Sequence, residues 1–182
     1  EHRLANFLRT LHRQLAALAS PDGEPPMVAL LTAGPYNETY LEHVLLARYL
    51  GYPLVEGSDL TVRDNRVYLK TLQGLKRVHV LLRRLVDEYC DPAALRTDST
   101  LGVAGLLSAA RAGHILIANA LGSGGLQVPA PFGFLPAICD RLLGEPLRLP
   151  SVATWWCGEA PALEHAISHL PELVIKPAFP SM

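Results

Sequence analysis

Near its end the chain reads ELVIKPAF, three apolar residues that deliver Lys176 into a short loop. A strand that presents a lysine in this way can bring a compact positive charge to nucleotide phosphates. Neither a P-loop nor a GxGxxG spacing accompanies it, and no GxSxG elbow or cysteine nucleophile motif occurs elsewhere. In AGPYN, Asn37 and Glu38 stand between an apolar run and a helical pattern. There they either line a ligand site at a helix N-terminus or merely cap the helix and complement its dipole. Arg83 and Arg84 end the run VHVLLRRL, so each can grip a carboxylate or phosphate, or pair with Asp87, Glu88 and Asp91. In ANALGSGG, Gly122, Gly124 and Gly125 would bare backbone N–H groups, with Asn119 and Ser123 as polar handles; such a segment can equally be a plain turn. His165 and His169 lie four apart on one helical face, a separation that lets two imidazoles share a metal. No third ligand or HExxH accompanies them, so solvated helix histidines are the default reading. Trp155 and Trp156 read as core and packing residues rather than as a stacking platform.

These side chains need a scaffold, and the hydrophobic pattern supplies one. Leu4, Phe7, Leu8, Leu11, Leu15 and Leu18 recur at helical spacing over residues 2–19. MVALLTAG reads as a buried strand, PYNETYLEHVLLARYLG as a helix closed by Gly51, and PLVEG as a second strand. TVRDNRVYLKT alternates about Asp64–Asn65, which predicts a two-stranded hairpin at a sheet rim. VHVLLRRL, a helix closed by Gly113, and HILIANA continue the alternation. That order predicts an α/β fold with a mostly parallel sheet flanked by helices. FGFLPAICDRLLG and PALEHAISHL predict helices, and ELVIKPAF a terminal strand. The change of texture after the sheet pattern places a boundary near residue 150, with WWCG as a hinge.

The sequence has 182 residues, enough for one ordinary domain with a sizeable core. It is 49% hydrophobic and only 18% charged, so part of its apolar surface is expected to meet a partner. A net charge of −1 without a basic block argues against nucleic acid, and no apolar run reaches the ~20 residues of a membrane span. Three cysteines without CxxC spacing and no secretory signal predict reduced thiols in the cytoplasm. The chain starts at Glu1 rather than Met, which suggests a segment of something longer.

In order along the chain, LLTAGPYNETYLEHVLLARYLGYPLVEGSDLTVRDNRVYLKTLQG, LLRRLVDEYCDP, STLGVAGLLSAARAG, ANALGSG, LPSVATWWCGE and ELVIKP resemble the circularly permuted ATP-grasp proteins, type 2. The resemblance covers residues 27–177 and is most similar to forms fused to a helical alpha-E domain, with glutathionylspermidine synthase a distant relative. It implies a Rossmann-like, pre-ATP-grasp substrate domain at 27–149 after an N-terminal helix and linker at 1–26, with the first part of an ATP-grasp core at 150–182. It also implies ATP and Mg2+ for a longer parent, an acyl phosphate attacked by an amine, and a peptide synthesis or modification system that includes transglutaminase-like proteins. Lys176 is then the nucleotide lysine. Asn37, Glu38, Arg83, Arg84, Asn119 and Ser123 face an acceptor substrate.

This sequence departs from the family pattern in two places. PAFPSM follows the lysine where a glycine-rich loop is expected, and Val86 stands where family members often carry aspartate. The acidic metal-binding stretch of the family is not found in these residues. The expectation is therefore a segment without catalysis of its own; the alternative is a binding or scaffold module that keeps the groove.

Overall fold

A computed structural model describes residues 2–19, 25–126 and 128–178. The chain divides into two compact units, residues 1–123 and 124–182.

The first unit is built on a four-stranded parallel sheet. Strands β1 (Val28–Leu31), β2 (Leu54–Val55), β6 (Val80–Arg83) and β7 (Leu116–Ala118) lie in the order β2-β1-β6-β7. All three pairings are parallel, with Leu31 opposite Val55 on one side and Arg83 on the other. Their side chains alternate between two cores, as strand periodicity requires. Val28, Leu30, Val80 and Leu82 pack with Leu15, Ala19, Ala47 and Tyr52, under α1 (His2–Leu18) and α2 (Tyr40–Leu50). Ala29, Leu31, Leu81 and Ile117 pack on the other face with Leu60, Val67, Val78, Leu106 and Ala109. These come from α3 (Leu106–Arg111) and from the antiparallel strands β3 (Leu60–Arg63), β4 (Arg66–Thr71) and β5 (Gly74–Arg77), or from the residues beside them.

The expected α/β architecture with helices on both sides of a parallel sheet is what forms. The expected hairpin is also present, with Asp64 and Asn65 both at positive φ (50° and 56°), the twist a two-residue hairpin loop requires. It carries a third strand that the sequence pattern does not announce. β5 is short and mostly exposed, and its residues GLKR show no apolar alternation to find.

Three other expectations are corrected. The helix expected to begin at Asn37 starts at Tyr40, and the one closed by Gly113 is only six residues long. The terminal strand does not form among the described residues: 173–177 have no regular structure, and Val174 and Ile175 are 83% and 62% exposed. An apolar run without a neighbouring strand has no ladder to satisfy its backbone groups. Residues 179–182, which end the predicted PAFPSM loop, lie outside the described residues.

The second unit holds α4 (Leu135–Leu143) and α5 (Ala160–Ser168). The boundary expected near residue 150 falls inside it, because Phe134 meets Trp156 edge to face at 5.9 Å and Gly133 backs onto the Thr154 carbonyl. Ala162 and Ala166 are the only buried side chains among its described residues.

Candidate functional site

Open parallel sheets bind ligands beyond the carboxyl ends of their strands. Here that edge is formed by Thr32–Asn37 after β1, Glu56 after β2, Arg84–Asp87 after β6 and Asn119–Ser123 after β7. The ladder continues one step past the strands: Thr32 N–H donates to the Val55 carbonyl and Arg84 N–H to the Leu31 carbonyl, both at 2.9 Å. Glu56, Thr32 and Arg84 consequently share one row, with Thr32 in the middle.

Arg83 is buried at 7% exposure and its guanidinium is spent on the fold. Its Nε donates to the Asn119 carbonyl (2.8 Å), and Nη2 reaches the Ala120 carbonyl (3.3 Å) and Ser123 Oγ (3.2 Å). Nη1 donates to the Leu85 carbonyl. Asp87 supplies the countercharge, with Oδ1 2.5 Å from Nη2, while its Oδ2 accepts the Gly122 N–H at 2.8 Å. Asn119 adopts φ 61° and returns a bond from Nδ2 to the Arg83 carbonyl (3.3 Å). The structure thus brings Arg83, Asn119 and Ser123 together as a clasp joining the loops after β6 and β7. Of the two readings open for Arg83, ion pairing with Asp87 is the one observed.

Arg84 points the other way in function. It is exposed, and among the described residues it makes no ion pair or side-chain hydrogen bond.

Asn37 does not cap α2 but folds an Asx turn ahead of it. Its Oδ1 accepts from the Thr39 N–H (2.9 Å) and the Thr39 hydroxyl (2.6 Å). Glu38 is exposed beside it.

Sequence reasoning missed His43, which is 2% exposed on the first half of α2. Its Nδ1 lies 2.8 Å from Thr32 Oγ1 and its Nε2 3.0 Å from Thr39 Oγ1. Because the Thr39 hydroxyl donates to Asn37, it can only accept from the ring, so Nε2 carries the proton. Nδ1 then accepts from Thr32, whose oxygen in turn accepts the Gly34 N–H at 3.2 Å. The chain of donors is complete with a neutral imidazole. Burial, followed by the nearby Arg84 charge, holds the His43 pKa below its ordinary 6.5, and Glu42 opposes weakly. The spacing of Thr39 and His43, four apart on a helix, was the available signal.

Glu56 was also overlooked. A Cβ on Gly34, which sits at φ 93°, would stand 3.2–3.3 Å from the Glu56 carboxylate. Glycine therefore lets that carboxylate lean over the extension of β1.

Lys176 belongs to the second unit, exposed on the irregular segment after α5. In the same unit His165 and His169 stack at 4.3 Å, with Trp155 4.6 Å from His165. Among the described residues no three His, Cys, Asp or Glu side chains come together as a metal site. One exposed lysine without clustered carboxylates does not fit a complete Mg2+–nucleotide site, so these residues by themselves do not hold that group.

A cavity of about 390 Å3 opens at the opposite, amino end of the first unit's sheet, beside Arg77, His79 and His114. Its two histidines serve the fold. His79 Nδ1 accepts the Met27 N–H at 3.0 Å, and His114 Nδ1 donates to the Asn65 carbonyl at 3.0 Å.

The parallel sheet, its carboxyl-end loops and the antiparallel sheet against one face agree with what sequence comparison finds. The whole chain, residues 1–182, matches the family model described as circularly permuted ATP-grasp type 2, and the chain belongs to that family. Among its relatives, the uncharacterized protein Rv2411c of Mycobacterium tuberculosis is 41% identical over 172 residues, 94% of this chain and 31% of its own length. The uncharacterized protein Rv2567 of the same organism is 43% identical over 170 residues, 93% of this chain and 19% of its own. The uncharacterized protein sll0335 of Synechocystis is 40% identical over 164 residues, 90% and 34%. The chain therefore spans about a third or less of the length of these relatives. No helix among the described residues is long and apolar enough to cross a membrane.

Proposed function

We propose that this chain supplies the substrate-holding part of an ATP-grasp, ligase-like protein that joins a carboxylate to an amine. The observation that carries the reading is the row Glu56, Thr32 and Arg84 beyond the parallel strands, in a chain whose whole length matches an ATP-grasp family. In this reading Arg84, Glu38 and Asn37 face the acceptor, while Arg83, Asn119 and Ser123 shape the loops that surround it. Lys176 serves the nucleotide, with ATP and Mg2+ completed by other ATP-grasp segments of a longer polypeptide. A helical alpha-E domain, transglutaminase-like partners, a peptide modification system and a cytoplasmic location complete the proposal.

On its own the segment is not catalytic. Phosphoryl transfer rests on positioned cations against developing charge, and one lysine in water offers only ~1 kcal/mol at contact distance. The second reading is a binding or scaffold module without catalysis that keeps the groove. Calorimetry of the longer polypeptide with Mg2+–ATP, repeated with Lys176→Ala, tests the first reading. A heat lost in the variant supports it, and equal heats remove Lys176 from the nucleotide site.

A further inference from the structure

We propose that the carboxyl edge of the parallel sheet between Glu56 and Arg84 binds a zwitterion of about dipeptide size, its carboxylate on Arg84 and its ammonium on Glu56. This rests on the ligase-like reading and names the substrate class of that site.

Charge selects the ligand. Arg84 is the cation of the row, and among the described residues nothing neutralises it. Glu42 acts on the same buried His43 as Arg84, and Glu56 stands in the same row across Thr32, so a phosphate dianion would meet carboxylates as well as the one guanidinium. A molecule carrying both signs meets a complementary charge at each end, and the guanidinium fork matches a carboxylate.

Distance selects the size. Glu56 and Arg84 stand on either side of β1, two strand spacings or about 10 Å apart at the backbone. The Glu56 carboxylate leans inward over Gly34, which shortens the gap. Two residues of extended chain span roughly 7 Å, so a dipeptide bridges what remains. The opposite charges of a single amino acid are too close together to do so.

The fold also provides a reporter. His43 lies beneath this row, hydrogen-bonded to Thr32 and Thr39, and the charged groups that act on it are Arg84 from the end of β6 and Glu42 on its own helix. A carboxylate placed on Arg84 screens that charge, so the midpoint of the His43 imidazole moves up when the site fills.

The test is a titration of the full chain with alanylalanine, N-acetyl-alanylalanine and alanylalanine amide, followed by calorimetry and by NMR of the His43 ring. Saturable binding of alanylalanine is expected, with at least tenfold weaker binding of both blocked forms and of alanylalanine to Arg84→Met or Glu56→Gln. The His43 midpoint rises with the ligand in wild type; in Arg84→Met it starts higher and no longer responds. An unchanged His43 ring spectrum at high pH shows that each variant is folded. Binding that is absent, or indifferent to the blocking groups or to Arg84, overturns the proposal. If it falls while Lys176-dependent heats persist in the longer polypeptide, the ligase-like reading stands; dipeptide binding without those heats leaves the site and removes the nucleotide role.

Discussion

The imidazole of His43 is held between two threonine hydroxyls, Thr32 at 2.8 Å and Thr39 at 3.0 Å, and the bond to Thr32 ties helix α2 to the first residue beyond strand β1. The helix that covers one face of the sheet is thereby pinned to the edge where a ligand would arrive. A buried histidine with both nitrogens satisfied in the neutral form is stable only while it stays neutral.

Acid should therefore loosen the first unit. The folded-state pKa of His43 lies below its unfolded value, so between the two the unfolded chain binds more protons and stability rises with pH. The contribution is fully present above about pH 6.5 and is lost as pH falls toward the folded pKa. Urea denaturation at pH 5.5 and 7.5 should show a larger acid loss in wild type than in His43→Asn. Equal losses would mean that the histidine does not feel its burial.

Gly102 is a steric requirement. A Cβ there would overlap the backbone oxygens of Tyr89 and Cys90, and one on Gly57 would overlap those of Leu101 and Gly102. Three chain segments are stacked backbone to backbone, which only glycine permits. Gly102→Ala should cost about 2–4 kcal/mol of unfolding free energy, whereas Gly51→Ala, with nothing within 4 Å, should cost only the ~1 kcal/mol of its left-handed backbone. A smaller loss at Gly102 than at Gly51 would refute the stacking.

What was legible in the sequence is what rests on local pattern. The Asp64–Asn65 turn, Gly51 at a helix end and the apolar strands ahead of AGPYN and of the arginine pair all carry their own signal. Strand β5 and the fate of ELVIKP do not, because pairing depends on what lies alongside: among the described residues GLKR gained a neighbour and LVI did not. At the site, residue type identified Arg83, Arg84 and Asn37 but not their division of labour. Whether an arginine at a strand end turns inward to a clasp or outward to solvent follows from the face it occupies, and two adjacent arginines must differ. His43 was missed because its partners, Thr32 and Thr39, are assembled by the fold.

The cysteines should separate by reactivity. Cys90 is buried, its thiol donates to the Val86 carbonyl at 3.3 Å, and burial pushes its pKa up to about 11. At pH 8 about one molecule in a thousand would carry the thiolate. Cys157 is exposed and Cys139 half-buried. Ellman's reagent should titrate Cys157 quickly in the native protein, and Cys90 only after denaturant is added. A native Cys90 that reacts as fast as Cys157 would show that the loop around Val86 opens freely.

Arg83 and Arg84 give the sharpest contrast because they are neighbours in sequence with opposite environments. Removing Arg83 breaks its ion pair with Asp87 and strips donors from the carbonyls of Leu85, Asn119 and Ala120. Breaking a largely buried pair of this kind costs about 3–5 kcal/mol, and Asp87 retains some solvent, so Arg83→Ala should lose about 2–4 kcal/mol. Arg84 is exposed and its side chain makes no hydrogen bond among the described residues, so Arg84→Ala should change stability by less than about 0.5 kcal/mol. Denaturation midpoints of the two variants, read at the same pH, decide the matter. Equal shifts would mean that the clasp between the β6 and β7 loops does not hold this edge of the sheet, and that Arg83 is as free to meet a ligand as its neighbour.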